Sequence, residues 1–158
     1  MRDISLRPAK SDDNSFLFAV FAASHPEFDQ LPLPEEQKQY VIRSQYQAQT
    51  GDYSARFPDS NHDIIIDGGE PVGRLWVARL DDEIRIVDMG LIATARNSGI
   101  GSLVMKRLQM ESAQCGKPLR SSVFRFNEGS LRWHERLGFV PTHEDTFMIY
   151  MQWNPPAG

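Results

Sequence analysis

Hydrophobic and polar positions change period several times along the chain. Ile4 and Leu6 alternate with polar neighbours over Asp3–Arg7, the period of a half-buried strand. Phe16, Leu17, Val20 and Phe21 then recur at helical spacing, behind Ser11-Asp12-Asp13, residue types that can cap a helix. His25 to Pro34 holds three prolines and reads as a loop. Pro34-Glu35-Glu36 opens a second helix, with proline and acids in its first turn. That helix is expected to reach about Thr50 and to resume through Tyr53 toward Phe57.

Period two returns in the middle of the chain. Asp63–Asp67 is a strand, Gly68-Gly69-Glu70-Pro71 a hairpin turn, and Val72–Leu80 the next strand. Asp81-Asp82 turns the chain into a third strand, Glu83 to Ile92. Ile100, Leu103, Val104 and Leu108 mark a helix that Gly116-Lys117-Pro118 stops. Leu119–Phe126 is a strand. Asn127–Leu137 is a helix, with Asn127 as its N-cap and Gly138 as its stop. Phe139-Val140-Pro141 and Phe147–Trp153 are two last strands around His143-Glu144-Asp145. The predicted order is β-α-α-β-β-β-α-β-α-β-β, with no internal repeat or linker.

Composition narrows the class. A length of 158 residues suits one domain with a real core. Apolar content of 41% and charged content of 24% are those of a soluble globular protein. Seventeen basic residues against 21 acidic ones give a net charge of −4, which argues against a nucleic-acid partner. The apolar runs are too short to span a bilayer, and charge interrupts the N-terminus where a signal peptide would be apolar. A single cysteine, Cys115, excludes an internal disulfide and reads as a passive residue of a last helical turn. The chain is expected to be cytoplasmic and to hold no metal.

The most informative stretch is Arg96-Asn97-Ser98-Gly99-Ile100-Gly101-Ser102, between the strand ending at Ile92 and the following helix. A strand–turn–helix junction leaves backbone N–H groups free at the helix start, and the helix dipole favours an anion there. The expected ligand therefore carries phosphate. The P-loop pattern fails because Ser102-Leu103 follows Gly101 where Lys and Ser or Thr are needed. The dinucleotide fingerprint fails because Val104 stands at its third glycine.

A third pattern, Arg/Gln-x-x-Gly-x-Gly/Ala, fits Arg96-x-x-Gly99-x-Gly101 and resembles the pyrophosphate loop of the GNAT N-acetyltransferase superfamily. Asn127-x-x-Ser130 followed by Trp133-His134-Glu135-Arg136-Leu137-Gly138-Phe139 resembles the family's second motif, and the element order is also similar. The resemblance implies an α/β (α+β) fold: a mixed, mostly antiparallel sheet of about seven strands, about four helices and a splayed parallel pair in the middle. It implies one domain over residues 1–153, with 154–158 as a frayed tail. It also implies acetyl-CoA as co-substrate and an amine-bearing small molecule or peptide as acceptor, with a homodimer as a common state.

The resemblance further assigns residues. Gly90, Leu91 and Ile92 would pair with the pantetheine arm through open backbone. Arg96, Asn97, Ser98, Gly99, Ile100, Gly101 and Ser102 would hold the pyrophosphate, and Asn127 and Ser130 would face the pantetheine. His134 stands where the family commonly has the tyrosine assigned to protonate the departing thiolate. Imidazole can also donate a proton, and His134 could equally be a hydrogen-bonded inner residue. Asp88 would meet the incoming amine; strict alternation puts it with Ile84 and Ile86, and Gly90 permits a bulge that would re-aim it. A hydrogen bond to neighbouring backbone is its alternative role. A non-catalytic acyl-CoA-binding module and a transferase of longer acyl groups are the rival functions.

The remaining ionisable residues read more simply. His25, His62 and His143 have no partner at metal-ligand spacing and are expected at the surface. Glu27, Asp29 and Glu144 lie in the loops that shape the acceptor site in the family. Trp133 is expected in the core.

Overall fold

The computed structural model describes residues 2–157. Its strands are β1 (Ile4–Pro8), β2 (Asn61–Asp67), β3 (Glu70–Arg79), β4 (Ile84–Leu91), β5 (Leu119–Phe124), β6 (Val140–Glu144) and β7 (Met148–Trp153). Its α-helices are α1 (Asn14–Ser24), α2 (Glu35–Arg56), α3 (Ile100–Cys115) and α4 (Glu128–Arg136). The seven strands form one mixed sheet in the order β1-β2-β3-β4-β5-β7-β6, with β4 and β5 parallel. No helix among the described residues is long and apolar enough to cross a membrane. Gly158, the end of the tail expected to fray, lies outside the described residues, as does Met1.

The chain packs as two compact units, residues up to Trp76 with Asp88–Ser98, and Val77–Val87 with the chain from Gly99 on. In the first unit β1 lies antiparallel to β2, Ile4 opposite Asp67 and Pro8 opposite Asp63. Leu17, Val20, Phe21, Ile42, Ile64, Ile65 and Leu75 are buried there. Two consecutive glycines with positive φ, Gly68 at 58° and Gly69 at 89°, turn β2 into β3. That conformation matches the twist of a two-residue hairpin and costs glycine nothing.

Two local expectations change in this unit. Ser11–Asp13 forms a short 3-10 turn, and no side chain caps α1. Asp13 instead accepts from both terminal nitrogens of Arg7 at 2.8 Å and from the Lys10 amide at 2.8 Å, which ties the turn to β1. Second, α2 runs unbroken through Gly51 to Arg56. A glycine costs a helix interior only ~1 kcal/mol, which the helical turns on either side outweigh.

In the second unit β4 pairs with β5 through Ile84–Leu119, Arg85–Arg120 and Ile86–Ser121. The ladder ends there, while β5 continues along β7 to Phe124–Met148. β6 pairs with β7 across a register shift between Pro141 and His143. Ile100, Val104, Met105 and Leu108 of α3 are buried, as are Leu119, Val123, Phe139 and Met151. Ile100, Val104 and Leu108 belong to the apolar stripe read from the sequence, whereas Leu103 of that stripe is 40% exposed and Met105 takes the buried place instead. Cys115 is exposed in the last turn of α3.

Candidate active site

The turn into α3 has the backbone its sequence suggests. Asn97 (φ 58°) and Gly99 (φ 87°) both adopt the left-handed region, Gly99 as the N-cap. No side chain among the described residues caps this helix, and its first turn holds no acid. Leu103 N–H donates to Gly99 O, the first internal bond of the helix. The N–H groups of Ile100, Gly101 and Ser102 precede it and have no helical partner. Such donors suit an anion, and no carboxylate of that turn competes for them. Arg96 Nη2 donates to Ala23 O at 2.6 Å, so this guanidinium is engaged at the C-terminal end of α1. Ser98 Oγ donates to Ala95 O.

On β4, burial alternates from Ile84 to Ile86 and then stops. Ile92 N–H donates to Val72 O at 2.9 Å, so the expectation of open backbone fails at Ile92. In a regular antiparallel ladder the Leu91 amide and carbonyl then face away from β3. Gly90 has a use of its own in packing: a Cβ there would sit 3.0 Å from both Val20 Cγ1 and Ser24 Oγ of α1. Asp88 forms an ion pair with Arg74 of β3, and its side chain is 28% exposed.

Asn127 caps α4 through Oδ1, which accepts from Ser130 N–H at 3.1 Å. His134 is only 4% exposed. Its Nδ1 lies 2.8 Å from Ser130 O, and its Nε2 lies 3.1 Å from Ser121 Oγ on β5. Burial lowers its pKa, and the Ser130 carbonyl only partly opposes this. The ring is therefore neutral around pH 7. Trp133 Nε1 donates to Ser102 Oγ at 2.9 Å, which fastens α4 to the first turn of α3.

A family model, the acetyltransferase (GNAT) family, matches residues 18–139. The chain belongs to the GNAT acetyltransferase family. No curated protein matches it in sequence. The PaiA N-acetyltransferase of Thermoplasma acidophilum, solved in complex with coenzyme A, superposes with a TM-score of 0.72 at 16% identity. That match covers 96% of this chain and 99% of the other. An acetyltransferase from Thermus thermophilus gives a TM-score of 0.68 at 18% identity, covering 96% of each chain. The ribosomal-protein-S18-alanine N-acetyltransferase of Escherichia coli gives 0.66 at 16% identity, covering 100% of this chain and 97% of its own. At these identities the likeness establishes the GNAT fold.

Several residues of this GNAT chain differ from their sequence expectation. His62 is half-buried and stacked on Trp76, centroids 4.2 Å apart at 8°, rather than lying at the surface. Burial first, then the Arg74 charge, lowers its pKa to about 4. Glu27 pairs with His25 and Glu144 with Arg125, so neither carboxylate is free of a partner. Of the two roles open to His134, the acid would need a proton facing the thioester, whereas both ring nitrogens are engaged inside the protein, as for a hydrogen-bonded inner residue.

Sequence reasoning missed Arg74 and Gln49 altogether. Arg74 is 1% exposed, and its Nη2 donates to Gln49 Oε1 of α2 at 2.9 Å as well as to Asp88. Tyr53 belongs to the same surroundings. Burial, then the Asp88 charge, pushes its pKa up to about 12. The one available signal was an arginine inside the otherwise apolar run Val72–Ala78.

Proposed function

We propose that this acetyltransferase moves the acetyl group of acetyl-CoA to a primary amine by direct attack in a ternary complex. The observation that carries the reading is the start of α3. Gly99 in the left-handed region, three uncapped N–H groups and an acid-free first turn make a receptor for pyrophosphate. The family and the CoA complex of a structural relative support the same assignment.

In this reading the Arg96–Ser102 segment holds the pyrophosphate, chiefly through backbone donors. The pantetheine arm follows β4 past the point where its ladder with β5 ends at Ile86–Ser121. Leu91 offers the outward backbone groups there, with Gly90 and Ile92 flanking it. Asn127 and Ser130 border the arm from α4. The neutral amine adds to the thioester carbonyl, the tetrahedral adduct collapses, and the carbon–sulfur bond breaks. The thiolate gains one proton and the new amide nitrogen loses one.

Asp88 is the acceptor-side acid. It receives the ammonium by a hydrogen bond and takes up its proton, directly or through water. His134 is a positioning residue that joins α4 to β5. The enzyme then contributes mainly orientation and polarisation of the carbonyl.

Gly101→Val tests the reading, because a β-branched side chain blocks approach to the helix start. Calorimetry is expected to show acetyl-CoA binding weakened well beyond any change in the melting temperature. A folded variant with wild-type affinity overturns the pyrophosphate site. Release of CoA in the presence of tyramine, spermidine, lysine or an alanine-initiated peptide tests the transfer itself.

A further inference from the structure

We propose that Arg74 is the positioning residue of the acceptor site, holding the Asp88 carboxylate in one orientation from inside the fold. This rests on the reading of Asp88 as the acceptor-side acid. Arg74 sits in the middle of β3, where Val72, Leu75, Trp76, Val77 and Ala78 are all buried. Its Nη2 carries both of its bonds, to Asp88 Oδ2 and to Gln49 Oε1, while Nε and Nη1 are buried without a partner among the described residues. Tyr46 of α2 lies over the guanidinium, 6.0 Å from ring centroid to Arg74 Cζ.

As a stabilising device this is a poor arrangement. A buried ion pair is often no better than apolar side chains of the same volume, and a half-satisfied polar network is worse. What the arrangement does achieve is asymmetric. The guanidinium is fully enclosed, whereas the carboxylate it grips stands 28% exposed at the rim. Oδ2 is pinned to Arg74, and no bond from the described residues holds Oδ1. One carboxylate oxygen is thus set in a fixed direction for an arriving ammonium.

The pair has a second consequence. Arg74 cancels the charge of Asp88, so an amine is recognised by hydrogen-bond geometry rather than drawn in by a net negative field. Turnover should then depend little on salt. Removing Arg74 exposes an uncancelled carboxylate, which attracts polycations in a salt-sensitive way.

The experiment compares Arg74→Met, Arg74→Lys, Gln49→Leu and Asp88→Asn, each first shown to be folded by its melting curve. The acceptor is whichever of tyramine, spermidine and lysine the wild type acetylates fastest. Arg74→Met is expected to lower kcat by ~10–10²-fold, the scale of a misplaced reacting group. Its KM for that acceptor should stay level or fall, and should become salt-dependent. Arg74→Lys should recover part of kcat and restore salt insensitivity. Gln49→Leu should lower kcat without any salt dependence, because it removes a bond and no charge.

A merely structural Arg74 would move the melting temperature without splitting kcat from KM in this manner. Wild-type kcat in folded Arg74→Met, with Asp88→Asn impaired, overturns this proposal and leaves the acceptor acid standing. Wild-type kcat in Asp88→Asn overturns the acceptor reading itself. Should Arg74→Met fail to fold, wild-type kcat in both Arg74→Lys and Gln49→Leu overturns the positioning role.

Discussion

Ser121 Oγ lies 3.1 Å from His134 Nε2, and on the other side of the ring the Ser130 carbonyl lies 2.8 Å from Nδ1. A carbonyl only accepts, so Nδ1 carries the proton and Nε2 receives the Ser121 hydroxyl. The imidazole is thereby a bridge from β5 to α4. A tyrosine there would carry one hydroxyl and could not bridge at two ends.

His134→Phe removes both ends of the bridge and leaves a buried hydroxyl, Ser121, without its partner. The variant is expected to lose ~1–3 kcal/mol of stability in urea denaturation, the cost of unsatisfied buried polar groups. Its kcat, measured below the melting transition, should fall less than about tenfold, and acetyl-CoA affinity should hardly change. A loss nearer the ~10²–10⁴-fold range of general acid–base catalysis, in a variant of native stability, would restore the acid role.

Gly73 and Gly90 should respond differently to the same substitution. A Cβ at Gly73 would stand 2.3 Å from Gly90 O and 2.7 Å from Leu91 Cδ2, and the first of these is backbone that cannot yield cheaply. A Cβ at Gly90 would stand 3.0 Å from two side-chain atoms, Val20 Cγ1 and Ser24 Oγ. Gly73→Ala is therefore expected to cost ~1–3 kcal/mol, which at this chain length lowers Tm by roughly 2–12 °C. Gly90→Ala should cost clearly less. Equal melting temperatures for the two variants would contradict the tight β3–β4 approach.

Local period made most of the fold legible. Ile100, Val104 and Leu108, and the alternating Ile84 and Ile86, are buried as their period implies, although Leu103, read into the same stripe as Ile100, is exposed. The turn at Gly68-Gly69 was also readable, because few residue types tolerate its backbone, although Glu70 and Pro71, read as part of it, already belong to β3. What stayed hidden depends on partners distant in sequence. Arg74 finds Gln49 and Asp88, which are 25 and 14 residues away, and His62 stacks on Trp76 across neighbouring strands. The turn at Pro26–Gln30 has no periodicity at all, so its 3-10 geometry left no trace in the pattern. At the candidate site, the glycines before α3 marked the left-handed turn at the helix start, whereas the bond from Arg96 to Ala23 could only be seen in three dimensions.

The half-buried His62 should make the fold sensitive to mild acid. Its pKa is lowered from 6.5 to about 4 by burial and the Arg74 charge. Between those values the unfolded chain binds the proton and the folded chain does not, so stability falls as pH drops through this window. Above pH 6.5 the contribution is fully present. His62→Phe keeps a ring against Trp76 and removes the titration. Urea midpoints at pH 7 and pH 5 are expected to lie closer together in His62→Phe than in the wild type. An unchanged gap would show that other groups set the acid limb.

Helix α2 spans 22 residues, yet Ile42 is the one buried residue along it. By contrast, α3 buries five residues in 16. Few apolar contacts mean a low free energy for local opening. Hydrogen exchange should thus release α2 amides through partial unfolding events well below the global transition, while α3 amides wait for the whole fold to come apart. The bond from Gln49 to Arg74 is made from this loosely moored helix. Each opening of α2 interrupts the hold on Asp88, so the breathing of one helix would set how long the acceptor-side acid stays aimed.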